Sequence, residues 1–461
     1  MMEKTRFLLD EADAPATWYN LAADLPGPPP APALNPKTRK PLTRAEMAHT
    51  MPEPLIDQEI GTEREIEIPE AVRRIYALWR PSPLYRAHRL ERELDTPARI
   101  YYKYEGVAPT GSHKPNTGIP QAYYNKLAGK RGLVTETGAG QWGSATALSA
   151  SFFGLTAKVY MVKVSFQQKP YRRALMEAYG AQCVPSPSTE TEVGRSILAA
   201  DPDCPGSLGI ATSEALEAFA KDPSLGYVLG SAANHVLLHQ TVIGQEAMRQ
   251  LELAGDYPDV IVGCAGGGSN VAGLAFPFLG AQLRGGPQVR VVAVEPAACP
   301  TLTRGIVTYD YADTGRLGPL FRMHTLGHEF VPPPVHAGGL RAHGIGPMLS
   351  RVVEDKLVEA IAVEQTRCFE AGLQFARTEG ILPAPESTHA IRGAVDEALR
   401  CREEGTSKAI LFGLSGHGHF DLSAYDRYLA GQLTDEVVDE DALARAAAGI
   451  PDVDEPVASG D

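Results

Sequence analysis

The sequence predicts an α/β protein of two domains that face each other across a cleft. From about Ala98, apolar runs of strand length alternate with segments of helical period. That alternation implies a mostly parallel sheet with helices on both faces. Glycine-rich loops stand where a strand gives way to a helix, at Glu136 to Gly143 and Gly263 to Asn270. The chain has 461 residues, more than a single hydrophobic core usually serves.

Residues 24–42, "DLPGPPPAPALNPKTRKPL", are proline-rich and are expected to run extended over the surface. In a first series, "ARIYYKYE", "RGLVTE", "AKVYMVKV" and "AQCVPSP" read as strands. Between them "IPQAYYNKLAG", "SATALSASFFG" and "KPYRRALMEAYG" read as helices. A second series follows the loop "DPDCPGSLG". Helices "TSEALEAFA" and "LLHQTVIGQEAMRQLEL" lead to strand "PDVIVGCA", helix "NVAGLAFPFLGAQLRG" and strand "QVRVVAVEP". Pro300 to Pro347 is irregular, rich in Gly, Pro and His. Helix "VEQTRCFEAGLQFARTEG" and strand "KAILFGLSG" complete the series. The expected division is an N-terminal extension (1–97), a smaller domain (98–215), a larger domain (216–430) and an acidic, solvated tail (431–461). Met176, Tyr123, Tyr124, Phe152 and Phe153 are expected to pack in cores.

Formal net charge is -13, with no dense Lys/Arg run, which argues against a nucleic-acid partner. No apolar run is long enough to span a bilayer. "MMEKTRFLLDEADAP" is too charged for a signal peptide. None of the six cysteines has C-x-x-C spacing, so reduced thiols in a cytoplasm are the simplest expectation.

Four motifs bear on chemistry. "GCAGGGSN" follows an apolar strand and opens a helix, where backbone N–H groups and the helix dipole favour an anion. It reads as a phosphate cradle rather than a plain turn, and no G-K-[ST] follows to make it a Walker A loop. "ETGAGQWG" has a formal G-x-G-x-x-G, but Glu136 would face the pyrophosphate and the next strand offers no acid to a ribose. A nest of N–H groups for a small carboxylate, over Thr137, Gly138, Ala139, Gly140 and Gln141, is the better reading, with a structural turn as the bland one. Glu136 then stands beside it as an acid–base residue. "LSGHGH" ends the last strand and offers the Ser415 hydroxyl to a bound ring, or is an ordinary turn. His417/His419 lack an acidic third ligand, and His235/His239 have the i, i+4 spacing of a helical zinc pair but no H-E-x-x-H, so satisfied helix histidines are expected and no metal site is assigned.

"TGSHKPNTGIPQ" sets Lys114 at the mouth of a helix. A lysine whose charge is disfavoured there can serve as a nucleophile. A phosphate cradle, a carboxylate nest and such a lysine together suit pyridoxal 5'-phosphate acting on an amino acid.

"GSHKPNT", "ETGAGQWG", "MVKVSFQQKPYRRALMEAYGA", "AGGGSN", "TLGHEFVPPPVHAGGL", "ARTEGILPAPESTHA" and "LSGHGHFD" resemble, in order, tryptophan synthase β chains. The resemblance is closest to the divergent second group of that family, within fold-type II pyridoxal-phosphate enzymes. It implies two three-layer α/β domains with a cofactor cleft between them. It implies that L-serine and indole give L-tryptophan and water. Lys114 would be the Schiff-base lysine and proton carrier, and His113 would lie near the cofactor phosphate. Gly266, Gly267, Gly268, Ser269 and Asn270 would cradle that phosphate. Glu136 would assist the leaving hydroxyl and orient indole. Thr137 to Gln141 would take the substrate carboxylate, Ser415 would partner the pyridine nitrogen, and Glu386 would lie near the ring. A homodimer and a monovalent cation held by backbone carbonyls are also implied. Trp142 and "LSGHGHFD" stand where the main group carries other residues, which counts against partnership with an α chain. Gly118, in "NTGIPQ", departs even from the second group. The same chemistry with O-phosphoserine, threonine or a thiol, or simple serine deamination, is the alternative. The joint presence of Lys114, Glu136 and Ser415 argues against an idle scaffold, and the missing ribose acid against a nicotinamide enzyme.

Overall fold

The structure, a computed structural model, describes residues 4–453. The apolar runs assemble into two main sheets. The larger has seven strands, in the order Arg6–Phe7, Leu84–Arg86, Arg99–Tyr104, Ala409–Leu414, Val260–Cys264, Arg290–Pro296 and Glu359–Val363. The last five are parallel, and Leu84–Arg86 is antiparallel to both its neighbours. The smaller sheet orders Ala181–Ser186, Thr156–Val162, Gly132–Thr137 and Leu225–Tyr227, all parallel.

Successive side chains on a strand point to opposite faces, and both faces here are covered by helices. Val260 and Val262 enter one core while Ile261 enters another. Val159 and Met161 likewise part from Tyr160 and Val162. This two-sided burial explains why the strands read as unbroken apolar runs. It gives each sheet the three-layer form expected of fold-type II.

The boundaries expected at 98 and 215 do not follow the sheets. Strand Arg99–Tyr104 pairs with Ala409–Leu414 in the large sheet, Ile100 opposite Ile410. Strand Leu225–Tyr227, beyond 215, completes the small one. Alternation shows that strands exist but not which neighbours they choose. The two strands at one end of the large sheet, Arg6–Phe7 at its edge and Leu84–Arg86 beside it, come from within the first 97 residues. The proline-rich segment is pinned at Leu34, which is buried and bridges Leu320.

Other expectations need correction. The irregular stretch 300–347 contains a hairpin, Ile306–Tyr311 with Leu320–Thr325. The helix expected over 237–253 is broken at Thr241 into Asn234–Gln240 and Val242–Ala254. Thr241 Oγ1 donates to Leu238 O at 2.7 Å and accepts from Tyr19 N. Helices Glu192–Ala200 and Ser387–Glu404 were not expected. The latter buries Ala390, Ala394, Ala398 and Cys401 together with Ile391 and Val395, a stripe made mostly of small side chains. Phe152 is 42% exposed rather than packed. In the acidic tail, Glu440–Ala448 is a helix whose Ala446 clusters with Phe330 and Leu326, so this part is not merely solvated. Tail residues 454–461, and residues 1–3 of the charged start, lie outside the described residues. Among the described residues no helix is long and apolar enough to cross a membrane.

Candidate active site

Open parallel sheets gather ligands at the carboxyl ends of their strands. Here four such ends converge. Arg99–Tyr104 leads to the lysine helix Pro115–Leu127, and Gly132–Thr137 leads to the nest and helix Gln141–Phe152. Val260–Cys264 leads to the cradle and helix Ser269–Leu283, and Ala409–Leu414 ends at Ser415. One cavity, open to solvent, is lined by His113, Lys114, Glu136, Thr137, Gly138, Ala139, Gln141, Gly266, Gly267, Gly268, Ser269, Asn270, Glu386 and Ser415. Every expected site residue except Gly140 is therefore brought together.

Gly140 acts on the loop's shape. Its φ of +98° is left-handed, and its N–H donates to Thr137 Oγ1 at 3.2 Å. Gly143 N donates to the same oxygen. The Thr137 hydroxyl thus braces the nest, and among the described residues the N–H groups of Gly138, Ala139 and Gln141 meet no acceptor. Gly118 finds its reason nearby. A Cβ there would lie 2.6 Å from Ser149 Oγ, so glycine allows the lysine helix to pack close on the helix after the nest.

Lys114 caps its helix, and its Nζ donates to Gly230 O at 2.5 Å and Ser269 Oγ at 3.2 Å. Burial pulls its pKa down to about 8, against the opposing pull of the Glu386 and Glu136 carboxylates. His113 Nε2 meets Ser269 Oγ at 3.0 Å, and burial, with Lys114 beside it, lowers its pKa to about 3. Neutral His113 then leaves the cradle one more hydrogen-bonding group without a second charge.

Burial raises Glu136 to about 7, against a hydrogen bond that Tyr227 donates to Oε2 at 2.9 Å. Glu386 is held differently, accepting from Gln141 Nε2 at 2.8 Å and Gly339 N at 2.9 Å. Gln141 thereby ties the nest to Glu386 across the cavity. Ser415 Oγ lies 2.7 Å from Ser387 Oγ and 3.7 Å from Cys264 Sγ. Both neighbours are neutral, since burial lifts the Cys264 thiol to about 12.

The residues fit a phosphorylated ring. Among the described residues, the N–H groups of Gly266 to Asn270 have no acceptor within the chain. Asn270 Nδ2 and Ser112 Oγ are buried without partners beside the same cavity. Orphaned donors of this kind at a helix N-terminus call for an anion. Gly268 caps that helix at φ +108°, and a Cβ there would stand 2.6 Å from Leu349 Cδ2. Left-handed strain alone costs roughly 1–2 kcal/mol. Gly268→Ala is therefore expected to weaken cofactor binding about tenfold or more, read by titrating the apoprotein and following absorbance.

A second, mostly apolar cavity adjoins the first. Met51, Leu55, Leu216, Leu229, Phe321 and Met323 line it, and Glu136, Leu208, Gly230 and Ser231 belong to both. Sequence reasoning missed this cavity and Tyr227, because their residues come from distant segments with no shared motif. The histidine pairs are structural. His235 meets Glu59 at 2.6 Å, His239 meets Gln58 and Thr117, and His417 stacks on His419. Trp142 Nε1 donates to Thr135 Oγ1 at 2.7 Å while its ring packs on Gly230.

An anion cradle with a lysine amine beside it in one cavity is the arrangement that a phosphorylated aldehyde requires. The class is that of the pyridoxal-phosphate dependent enzymes, whose family model matches residues 75–416. The chain is 55% identical over 432 residues to tryptophan synthase beta chain 2 of Methanosarcina acetivorans, covering 94% of this chain and 98% of that one. It is 57% identical over 420 residues to the protein of the same name from Thermotoga maritima, covering 90% and 98%. The chain belongs to the tryptophan synthase β family, in its second group. Among solved structures, the processed form of threonine deaminase isoform 2 from Solanum lycopersicum shares the fold. Its TM-score is 0.58 at 18% identity, covering 89% of this chain and 100% of that one.

Proposed function

We infer that the chain is a pyridoxal-phosphate dependent lyase that joins L-serine and indole to give L-tryptophan and water. One observation carries the reading. Lys114 and Glu136 share a cavity with an anion cradle and a carboxylate nest, and Glu136 stands where that cavity meets an apolar one.

The N–H groups of Gly266 to Asn270 and the side chains of His113, Ser112 and Asn270 would hold the cofactor, with Ser415 at the ring nitrogen. When bound, the cofactor supplies an electron sink for charge at the substrate Cα. Ser415 brings no charge to that ring, as an aspartate would, which favours β-replacement over transamination. The nest takes the serine carboxylate and fixes the orientation of Cα. Lys114, with its pKa near 8, removes and returns the Cα proton close to neutral pH. Glu136, near 7, gives a proton to the departing hydroxyl and accepts one from the incoming indole. The apolar cavity is the space for indole, desolvated and with a single carboxylate at its inner end.

Two departures support a chain that uses free indole without an α chain: Trp142 and the "HGHFD" run after Gly416. The same family resemblance supports a homodimer and a monovalent cation on backbone carbonyls, and the free cysteines support a reducing cytoplasm. The test is to reconstitute the protein with pyridoxal 5'-phosphate, titrate L-serine while recording absorbance, then add indole and quantify tryptophan. Serine-dependent spectral change discharged by indole, with tryptophan formed, is expected. Spectral change with no tryptophan would overturn the choice of indole.

A further inference from the structure

We propose that Tyr227 is a positioning residue for Glu136, holding one carboxylate oxygen so that the other alone exchanges protons with leaving group and acceptor. The inference rests on the role given to Glu136 above. Tyr227 belongs to no motif of the site. It ends the short strand Leu225–Tyr227, in register with Val134 of the strand that carries Glu136. That pairing brings the phenol across the sheet edge, and its hydroxyl donates to Glu136 Oε2 at 2.9 Å. Tyr227 lines only the acceptor cavity, whereas Glu136 lines both.

The hydrogen bond is committed in both directions. Burial first, then Glu136, hold the phenol well above its ordinary pKa, so it stays a donor at every working pH. Asp313 also faces Tyr227 electrostatically, but its oxygens accept from Ser213 Oγ, Leu317 N and Gly318 N. Glu136 faces Lys114 and the Thr135 hydroxyl besides Tyr227. Thr135 Oγ1 is itself turned to Val228 O at 2.6 Å. Tyr227 is thus the one side chain donating to the Glu136 carboxylate among the described residues.

The reaction asks two opposite things of this carboxyl. As an acid it gives a proton to the serine hydroxyl, and the C–O bond breaks to release water. As a carboxylate it takes a proton as the acceptor forms its bond to Cβ, which restores the acid. A donor fixed on Oε2 keeps the mobile proton on Oε1. It also offsets burial, so that acid and base forms are both present near neutral pH.

Tyr227→Phe removes only the oxygen. Without the donor the carboxylate is less stable, so the carboxyl stays protonated to higher pH. The limb governing consumption of indole should move up by about one to two pH units, the scale of a hydrogen bond to a charged group. At pH 7 the acid form then predominates, so the serine step, followed alone in a single turnover without indole, should quicken by at most about twofold while the indole step slows. A second readout does not depend on turnover. In infrared difference titration, the protonated-carboxyl band that Glu136→Gln abolishes should titrate at correspondingly higher pH in Tyr227→Phe, measured on protein whose melting temperature shows it folded. Unmoved limb and unmoved band overturn the proposal. If the wild-type chain does not use indole at all, the functional reading fails while the infrared titration still decides the role of Tyr227.

Discussion

Lys114→Ala is expected to lower tryptophan formation by at least 10²–10⁴-fold, the range a positioned general acid–base group contributes, and to remove the lysine-dependent visible absorbance. The expectation follows from how few bonds the side chain makes. Its Nζ touches Gly230 O and Ser269 Oγ, and it faces the cavity rather than a core. Two hydrogen bonds are lost, at about 1 kcal/mol each, and the desolvation of a cation is relieved. Stability should therefore change little while chemistry collapses. Thermal melting alongside steady-state kinetics separates the two. Retained turnover with the band intact would mean that another amine carries the reaction and that the central assignment is wrong.

Much of this site was legible because its parts are local. The cradle, the nest and the lysine each occupy one strand–helix corner, where glycine, a short apolar run and a helical period lie side by side. The seven motifs also stand in the family order. What was hidden depends on pairing between distant segments. The strand before Lys114 belongs to the large sheet because Ile100 lies opposite Ile410, a choice that no local pattern encodes. The apolar cavity draws Met51, Leu216 and Phe321 from three separate regions. Helix Ser387–Glu404 was missed for a different reason: Ala390, Ala394 and Ala398 share its buried face with only two larger aliphatic side chains, Ile391 and Val395, which weakens the periodic signal. Gly140 was placed among substrate ligands by motif alone, whereas its N–H is spent on Thr137.

The largest stability effect should come from beneath the lysine helix. Arg80, Lys103, Glu105 and Glu246 form a charge-balanced tetrad whose side chains are each at most 1% exposed. Arg80 bridges Glu105 at 2.8 Å and Glu246 at 2.9 Å, and Lys103 Nζ meets Glu246 at 2.7 Å. The tetrad reaches the site through Asn116, two residues past Lys114. Asn116 accepts from Arg80 at 3.0 Å and donates to Glu105 at 3.1 Å, while Tyr76 OH donates to its carbonyl. Glu246→Ala leaves two buried cations against one carboxylate. Breaking a buried pair in this way costs about 3–5 kcal/mol, because the survivor keeps its desolvation penalty without its partner. The variant should unfold at markedly lower denaturant concentration. Lys103→Met combined with Glu246→Leu removes one charge of each sign and leaves Arg80 with Glu105, so the double variant should recover much of the loss. If single and double variants are equally destabilised, packing rather than charge balance holds this region. Acid provides an independent check. Burial alone would raise Glu105, but Arg80 and Lys103 bring it down to about 2, below its ordinary 4.5. With the folded pKa below the unfolded one, its contribution is full above about pH 4.5 and drains as pH falls toward 2. Glu105→Gln should therefore lose stability at pH 7 and flatten the acid limb of the stability curve below pH 4.5, whereas a purely steric role would leave that limb unchanged.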